Sequence, residues 1–483
     1  MSVTLNRVRR GFYADSVALM RISRALSGLP GVEAASLMIG TPSNRDLLSE
    51  SELLDIDGAK AQADDLIIAV RAGEAEAAEA ALAEAEKLLA GGKADGQGGG
   101  VASVRGFASA LAALPEANLA LISVPGEFAP AEARRALNRG LHVMMFSDNV
   151  SVEDEIELKA LAIEKGLLLM GPDCGTAIIG GTPVAFANVV PRGDVGLISA
   201  SGTGLQEVTC LLARSGRGIS HGIGVGGRDL SEAVGGVMTL AAFDALEADP
   251  ATRHIVIISK PPAQSVADRI AARVAQSPKP VTLCLLGAGG MTLAAAAEQV
   301  LGHAPAGGSL VAPDARKGWL RGLYSGGTLC NEAQIVLMAN GLKVQSNVPV
   351  PGATETARLD IAAHSLIDLG DDEYTRGRPH PMIDPELRNE LLAKTLADPA
   401  VAVVLLDVVI GYGAHADPAG LIAQVVDAAR ARGGALPAVV ASVTGTDGDP
   451  QGYARQVARL SAAGVLVAGS NAAAAALAGQ VVA

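Results

Sequence analysis

The sequence has few aromatic residues, no excess of basic residues and no long apolar run. Phe, Trp and Tyr make up 2% of its 483 residues, and the formal net charge is −13. Nucleic-acid binding needs cationic side chains and aromatic stacking platforms, so this composition argues against it. No apolar run approaches the roughly 18 residues of a membrane span, and the charged residues near the amino terminus leave no signal-peptide core. Neither a nucleic acid nor a membrane is therefore expected as a partner.

Cysteine is also scarce. Cys174, Cys210, Cys284 and Cys330 lie far apart, with no CxxC pair and no histidine at zinc spacing. We therefore expect no disulfide framework, no metal site and a cytoplasmic location. The chain has 49% hydrophobic residues and 57 glycines, which is typical of a globular protein. At roughly 150 residues per domain, its length predicts about three domains.

Short β-branched runs alternate with Ala-rich helical stretches along the chain. Runs at residues 66–70, 195–199 and 401–405 lack in/out alternation. Parallel strands that helices cover on both faces have this pattern. The sequence therefore predicts an α/β protein with doubly wound parallel sheets, whose ligands bind beyond the carboxyl ends of the strands.

One loop motif occurs twice, each time between a predicted strand and a predicted helix. The first copy is Ser201-Gly-Thr-Gly204, and the second is Ser325-Gly-Gly-Thr328. Each is followed further on by Ala-Asp-Pro and another strand, at residues 248–250 and 397–399. Landmarks repeated in the same order predict two copies of one fold.

Such a junction can bind phosphate, because backbone N–H groups and the helix dipole face the ligand there. The open alternative is an ordinary Ser/Thr helix cap. Two helix starts facing one another would clamp a phosphoryl group from opposite sides. The candidate phosphate ligands are Ser201, Gly202, Thr203, Gly204, Ser325, Gly326, Gly327 and Thr328.

Two loops near the amino terminus are candidates for holding the anionic end of a cofactor. The first lacks the full GxGxxG fingerprint, which argues against a nicotinamide cofactor. Ordinary surface turns remain the alternative for both loops. Their candidate residues are Gly11, Tyr13, Asp15, Ser16, Thr41, Ser43 and Asn44.

The chain resembles the NDP-forming acyl-CoA synthetase superfamily, which includes succinyl-CoA synthetase. Residues 122–130, 171–175, 199–207 and 223–229 are similar to alpha-subunit motifs of that enzyme, whereas residues 367–371, 397–399 and 444–446 are similar to beta-subunit motifs. The resemblance implies a Rossmann-like CoA-binding-type domain at 1–190. Two flavodoxin-like ligase domains, alpha-subunit-like and beta-subunit-like, would follow at 191–312 and 313–483. CoA is the candidate cofactor, although none is assigned with certainty.

A closer resemblance is to the FdrA proteins, carried by residues 144–150, 224–230 and 370–384. It implies a subunit of an oxamate carbamoyltransferase in allantoin catabolism, within a homo- or hetero-oligomer. Three departures from succinyl-CoA synthetase fit this. The phosphohistidine motif is missing, and the segment around His303 matches it only in part. Lys260 replaces the glutamate that would orient that histidine. No ATP-grasp domain is expected. The phosphate would then arrive already attached to the acyl group.

The resemblance gives each candidate residue a role. Lys260 and the helix starts would hold the phosphate of carbamoyl phosphate, while oxamate and the carbonyl would be oriented by Arg228, Arg376, Arg378 and His380. Internal salt bridges could instead consume the Arg376 and Arg378 charges, and His380 could itself be the phosphoryl carrier. Cys174 is also a candidate substrate- or phosphate-binding residue, either as a thiolate nucleophile or, alternatively, as a structural turn residue. The alternative functions are an acid–CoA ligase that needs a nucleotide-binding partner and a non-catalytic binding subunit.

Overall fold

The structure, a computed structural model, describes residues 2–12, 16–91, 106–287, 290–307, 310, 314–375 and 379–482. The chain divides into two compact units. One comprises residues 1–109 with 375–379, and the other comprises residues 110–374 with 380–483. No helix among the described residues is long and apolar enough to cross a membrane.

The amino-terminal unit is built on a small antiparallel sheet. Its elements are β1 (Val3–Arg9), α1 (Ser16–Ser27), β2 (Val32–Ile39), α2 (Pro42–Glu50), β3 (Leu66–Ala72) and α3 (Ala75–Gly91). The central strand β3 pairs antiparallel with β1 and with β2. Alternate side chains of a strand point to opposite faces. Ile68 accordingly packs with Leu26 and Leu82 of the helices, whereas Ile67 packs with Leu48 on the other face.

This sheet differs from the Rossmann-like domain expected over residues 1–190. A strand buried on both faces shows no alternation, whether its neighbours are parallel or antiparallel. The apolar run at residues 66–70 therefore fits either arrangement. In the structure, residues 1–109 belong to a separate antiparallel unit, and parallel pairing starts only at residue 119.

The second unit begins within α4 (Phe107–Ala113) and first forms a short parallel sheet. Its elements are β4 (Leu119–Ile122), α5 (Ala129–Leu137), β5 (His142–Met145), α6 (Val152–Glu164) and β6 (Leu169–Met170). The strand order is β4-β5-β6. A full Rossmann sheet contains two βαβαβ halves. Within the described residues, this sheet contains the strands of one half.

The second sheet of this unit is mainly parallel and carries the first copy of the repeated motif. Its elements are β7 (Thr176–Ile179), β8 (Thr182–Ala185), β9 (Arg192–Ser199), α7 (Gly202–Arg214), β10 (Ile219–Gly224), α8 (Val237–Ala248), β11 (His254–Ser259), α9 (Gln264–Val274), β12 (Val281–Leu285) and α10 (Leu293–Leu301). The strand order is β12-β11-β9-β10-β7-β8, with β7 antiparallel to β10 and to β8.

The third sheet of this unit is parallel throughout and carries the second copy of the repeated motif. Its first elements are β13 (Trp319–Tyr324), α11 (Gly327–Ala339), β14 (Val344–Ser346), β15 (Thr354–Glu355), β16 (His364–Asp368), α12 (Asp372–Thr375) and α13 (Glu386–Leu396). Then follow β17 (Val401–Val409), α14 (Pro418–Ala431), β18 (Ala438–Thr444), α15 (Tyr453–Ala462), β19 (Leu466–Ala468) and α16 (Asn471–Val482). The order is β15-β14-β16-β13-β17-β18-β19.

The first long strand of each of these two sheets lies at its centre. β9 lies between β10 and β11, and β13 lies between β16 and β17. Successive strands therefore lie on opposite sides of β9 and of β13, which makes the carboxyl end of each a topological switch point, where α/β sheets bind ligands. The predicted fold class, α/β with parallel sheets, is confirmed in this unit.

The boundaries expected at residues 190 and 312 do not separate independent units. β7 and β8 precede residue 190 but belong to the second sheet. The second and third sheets share one hydrophobic core, in which Leu205 of α7 and Ala296 of α10 pack in the same cluster as Leu329 of α11 and Ala478 of α16. Gly- and Pro-rich stretches of the sequence do not mark a domain boundary when one hydrophobic core continues across two sheets.

Candidate active site

Both copies of the repeated motif start a helix at the carboxyl end of a central strand. Ser201 is the N-cap of α7, and its hydroxyl accepts a hydrogen bond from Gly204 N at 3.0 Å. Gly326 is the N-cap of α11 and supplies no side-chain cap. The first amides of a helix have no intrahelical partner. Each start therefore directs N–H groups and positive dipole potential at whatever lies in front of it.

The two helix starts meet inside the second unit. Ser201 Oγ lies 2.5 Å from Thr328 Oγ1. A Cβ on Gly326 would lie 2.9 Å from Cγ2 of Thr203, so the glycine allows the close approach. Because Ser201 and Gly326 are both N-caps, and Thr203 and Thr328 are both second residues of their helices, the contacts relate the two starts by an approximate two-fold axis.

Several of the predicted phosphate ligands use their polar groups within the protein. The hydroxyls of Ser201 and Thr328 bond to each other, and the Gly204 amide bonds to Ser201. The Ser325 hydroxyl accepts a hydrogen bond from Arg388 at 3.0 Å. These groups serve as caps and bridges, which corrects the expectation that all of them would be phosphate donors. Gly202, Thr203 and Gly327 are the motif residues that retain partial exposure besides Ser201.

The second loop already holds a carboxylate of its own. The amides of Ser325 and Gly326 donate to the two oxygens of Asp407 at 2.7 Å each. Arg388 also lies beside Asp407, with Nη1 3.9 Å from Oδ1. Burial raises the pKa of Asp407 to about 6, while Arg388 and the two amides act in the opposite direction. The amides before α11 are therefore already bonded to a carboxylate of the protein. The expected clamp of two equivalent helix starts is corrected to an asymmetric one.

Lys260 and Asp368 border the space in front of the two helices. Lys260 follows β11 and is exposed, whereas Asp368 ends β16 and is 5% exposed. A Cβ on Gly327 would lie 2.5 Å from Asp368 Oδ2 and 3.2 Å from Lys260 Nζ. Lys260 forms no ion pair within 4 Å among the described residues. Its ammonium therefore remains available to an anion at the first turn of α7 or α11.

Asp173 connects this region to Arg228. Burial, with help from Asp148, raises the pKa of Asp173 to about 6, whereas the nearby charges of Lys260 and Arg228 act to lower it. Thr176, three positions along the same segment, approaches α7: its Oγ1 would lie 3.0 Å from a Cβ on Gly202. The structure therefore brings Lys260 and Arg228 to one region, around a carboxylate.

Arg228 is held by a buried charge network that the sequence did not predict. Its Nε donates to Glu155 Oε2 at 3.0 Å, and its Nη2 donates to Val150 O at 2.7 Å. Glu155 Oε1 accepts from Lys159 at 2.7 Å, and Lys159 also donates to Asp229 at 2.8 Å. The guanidinium is 45% exposed beyond this anchor. Its position is thus fixed on one side and open to solvent on the other.

His380 lies near Asp368, but its geometry does not suit a phosphoryl carrier. Its Nδ1 accepts a hydrogen bond from Met382 N at 3.2 Å, which places the proton of the neutral ring on Nε2. Burial lowers the pKa of His380 to about 4, so the ring is neutral near pH 7. A protonated Nε2 has no lone pair with which to attack phosphorus. His380 is suited to donating a hydrogen bond, since Nε2 would lie 2.6 Å from a Cβ on Gly370.

Two other candidates lie in structural positions. Burial raises the pKa of Cys174 to about 12, and its Sγ faces the carbonyls of Thr176 and Gly224 at 3.5 Å. It is a buried thiol, so the nucleophile and phosphate-ligand readings are corrected to a structural one. His303 is exposed beyond α10, and nearby Ala306 donates to Ser215, the C-cap of α7. That is the other end of α7 from Ser201, about 20 Å away at 1.5 Å per residue. Arg376 and Arg378 lie outside the described residues.

Three of the residues expected to hold a cofactor, Gly11, Thr41 and Asn44, serve turns of the antiparallel unit. Gly11 N donates to Asp65 at 3.0 Å. Thr41 is buried and caps α2 by accepting from Asn44 N, whose own side chain donates to Ile39 O. Tyr13 and Asp15 lie outside the described residues, as do the side chains of Ser16 and Ser43. The interpretation as ordinary turns therefore fits Gly11, Thr41 and Asn44, and none of them follows a parallel strand.

The acidic and basic residues that complete the site were missed by sequence reasoning. A partial signal existed, since Asp368 lies at the end of an apolar run and such positions meet at one edge of a parallel sheet. The partners of Asp407 depend on the register that sets Leu323 opposite Leu406. The missed residues are Glu155, Lys159, Asp173, Asp368, Arg388 and Asp407.

The comparison with known proteins decides the family. The chain is 40% identical to YahF of Escherichia coli K12, and the match covers 96% of each chain. The chain belongs to the YahF family. Residues 323–481 match the CoA-ligase family model, and residues 1–104 match the model described as AllF, heavy metal-associated domain. This YahF-family chain is therefore an acyl-CoA synthetase-like protein with an additional amino-terminal unit.

More distant relatives match only parts of the chain. The chain is 28% identical to the ADP-forming sulfoacetate-CoA ligase subunit SauD of Bilophila wadsworthia, over 30% of this chain and 50% of SauD. It thus spans half the length of that ligase subunit. A dinucleotide-forming acetyl-coenzyme A synthetase of Ca. Korarchaeum cryptofilum is 16% identical, with a TM-score of 0.29 over 75% of this chain and 82% of that chain.

Neither a heavy metal nor CoA fits the residues of the amino-terminal unit. Soft metals are bound by cysteine and histidine, and residues 1–104 contain neither. The described residues contain no group of three or more potential metal ligands. For CoA, the loops expected to bind it follow antiparallel strands, and among their described groups the Gly11 amide and the Thr41 hydroxyl bond within the unit. No step of the chemistry below depends on either group.

Proposed function

We propose that this YahF-family protein is a carbamoyltransferase subunit of the FdrA type. It transfers the carbamoyl group between carbamoyl phosphate and oxamate, with oxalurate and phosphate as the other pair. The observation that carries the proposal is the position of Lys260. Its ammonium lies beside the first turn of α11, whose start contacts the start of α7 at the switch points of two sheets.

The phosphate of carbamoyl phosphate would bind at the asymmetric clamp. The amides of Gly202 and Thr203 in α7, and of Gly327 in α11, occupy first-turn positions that lack intrahelical partners. The Thr203 hydroxyl makes no hydrogen bond within the described part of the chain, so it adds a donor. Lys260 adds a full positive charge. Groups of this kind stabilise the negative charge that develops on a leaving phosphate.

The acceptor needs a cation for its carboxylate, and Arg228 meets that need. Arginine binds carboxylates through two parallel hydrogen bonds. The anchor on Glu155 and Val150 leaves the other edge of the guanidinium exposed. Lys260 and Arg228 both act to lower the pKa of Asp173, which supports a single site that the two cations share.

The amino-terminal match to the AllF model supports placing the reaction in allantoin catabolism. The relative SauD is named as a subunit of a ligase, which supports assembly with partner subunits. We therefore propose that activity is measured best with the proteins encoded beside this one. The cytoplasm, where carbamoyl phosphate is used, would be the compartment.

An acid–CoA ligase is the second candidate, favoured by the CoA-ligase match over residues 323–481. The three-stranded sheet of residues 119–170 argues against it, because it presents one half of a Rossmann sheet. A hydroxamate trap for acyl-CoA separates the two functions. The ligase would yield hydroxamate from CoA, nucleotide and a carboxylate, whereas the transferase would not.

The test of the proposed function is phosphate release from carbamoyl phosphate, with and without oxamate. We expect release that depends on oxamate. Lys260→Ala should lower kcat/KM for carbamoyl phosphate by about 100-fold, because it removes the charge that faces the phosphate. Lys343→Ala, at an exposed lysine before β14, is the matched control and should behave as wild type. Equal activity in the two variants would contradict the site.

A further inference from the structure

Asp368 has one carboxylate oxygen engaged and one open. Oδ1 accepts a hydrogen bond from Gly370 N at 2.9 Å. Oδ2 receives no hydrogen bond from the described residues, although the side chain is 5% exposed. Oδ2 is not among the fully buried polar atoms without a partner. It is therefore an oxygen of a largely buried carboxylate that can still accept a donor from a ligand.

The open oxygen is directed at the space where the proposed reaction takes place. Oδ2 would lie 2.5 Å from a Cβ on Gly327, and Lys260 Nζ would lie 3.2 Å from the same point. The absence of a side chain at Gly327 therefore lets a carboxylate and an ammonium approach the first turn of α11 together. An N–H group entering this space meets an acceptor, and an anionic oxygen meets a cation.

Asp407 provides an internal comparison. It too is a buried carboxylate near a helix start, 0% exposed, but both of its oxygens accept backbone amides. Asp407 is therefore saturated and structural. Asp368 differs in having an oxygen left to accept a proton.

We propose that Asp368 is the general base of the carbamoyl transfer, an inference that rests on the function proposed above. The amide nitrogen of oxamate attacks the carbonyl carbon of carbamoyl phosphate, so that an N–C bond forms. The bond between the carbonyl carbon and the bridging oxygen of the phosphate breaks, and its electron pair leaves with the phosphate. Oδ2 takes the proton that the nitrogen loses and passes it to the departing phosphate. The products are oxalurate and hydrogen phosphate, and the carboxylate is regenerated.

The groups around Asp368 suit this role. Burial raises the pKa of Asp368 to about 6, and Asp407 and Asp371 act in the same direction, while Lys260 opposes them. The neutral ring of His380 is the remaining titratable group beside Gly370. Near pH 7 the carboxylate is mostly ionised but still basic enough to accept a proton, which is the useful range for a general base.

The test compares Asp368→Asn with Asp407→Asn in the full chain with its partner subunits. Asp368→Asn should lower kcat by about 100-fold or more, with little change in KM for carbamoyl phosphate. Wild-type kcat should rise with pH through about 6, as Asp368 ionises, and this rise should be absent from the residual activity of Asp368→Asn. The Asp407→Asn variant should be less stable, but its remaining activity should keep a rise with pH, displaced to lower pH because Asp407 no longer raises the pKa of Asp368.

A second variant guards against a folding defect. Asp368→Ser is small enough for the same space, and added formate should restore part of its activity by supplying a carboxylate. A purely structural role would give no rescue. Wild-type-like turnover in either Asp368 variant would overturn the assignment while leaving the transferase intact, whereas a wild type without oxamate-dependent turnover would overturn both.

Discussion

Among the individual residues, Asp368 and Asp407 show how two similar carboxylates serve different ends. Both are buried, and burial raises the pKa of each to about 6. Asp407 accepts both amides of the loop before α11 and lies beside the buried Arg388. Its role is to satisfy buried donors, because an unpaired amide or guanidinium inside a protein is costly.

Replacement of Asp407 should therefore destabilise the protein strongly. Asp407→Asn leaves Arg388 without its anionic partner and sets an NH₂ group against a backbone amide. Breaking a buried pair in this way costs about 3–5 kcal/mol, which urea unfolding measures. Asp427→Asn is the control, since that exposed side chain forms a surface pair with Arg430 that is worth about 0–1 kcal/mol. Equal losses in the two variants would contradict the account of Asp407.

Sequence reasoning found the residues that act locally and missed those that act across the fold. Ser201 was recognised because a helix cap depends on a few adjacent residues. The Ser325 and Gly326 amides donate to Asp407 only because β13 and β17, distant in sequence, pair in one register; Ser325 and Asp407 are 82 positions apart. No local pattern carries that information, so half of the predicted clamp proved to be occupied by the protein itself.

Among the elements, α7 and α11 each carry a glutamate that accepts a hydrogen bond from the start of a helix of the other sheet. Glu207 of α7 accepts from Asn471 N at the start of α16, at 3.1 Å. Glu332 of α11 accepts from Leu293 N at the start of α10, at 2.6 Å. Each glutamate lies six positions after its N-cap. The repeat therefore sets both the helix starts of the site and the contacts that hold the two sheets together.

The buried Glu332 should make stability depend on pH. Burial raises its pKa from 4.5 to about 7, so the folded state binds this proton more tightly than the unfolded chain. Its contribution is full below the unfolded pKa and is lost as the pH rises through about 7. Between pH 5 and pH 8 we expect the free energy of unfolding to fall by about 1–3 kcal/mol from this group.

Urea unfolding at several pH values checks this expectation. Glu332→Gln cannot ionise, so its stability should fall less over the same range. Glu298→Gln, at an exposed position of the neighbouring helix α10, should keep the wild-type dependence. A Glu332→Gln variant as pH-sensitive as wild type would show that this carboxyl is not the group responsible.

At the scale of the whole molecule, the sequence predicted the parallel α/β architecture but not the amino-terminal unit. Residues 66–70 form a central strand that is covered on both faces, so they look the same in an antiparallel sheet as in a Rossmann sheet. The repeat, by contrast, is visible locally and identifies both switch points. The helix starts of the site could therefore be predicted from the sequence. The charged residues around them could not, because only the assembled fold brings them together.

The amino-terminal unit should bind no heavy metal, despite its match to a heavy metal-associated model. Its matched residues contain no cysteine and no histidine, and the four cysteines of the chain are buried elsewhere. Equilibrium dialysis of the folded chain against Zn²⁺ or Cu⁺ should retain well under one ion per chain. The urea-unfolded chain, whose thiols are accessible, is the control and should retain more. One tightly bound ion per folded chain would contradict this expectation.

The most direct test of the proposed function follows the carbamoyl carbon. Carbamoyl phosphate labelled with ¹⁴C in its carbonyl group is incubated with oxamate, the protein and its partner subunits, and the products are separated. We expect labelled oxalurate in equal amount to the phosphate released, with both strongly reduced by Lys260→Ala. Phosphate release without labelled oxalurate, or no reaction with any partner, would contradict it.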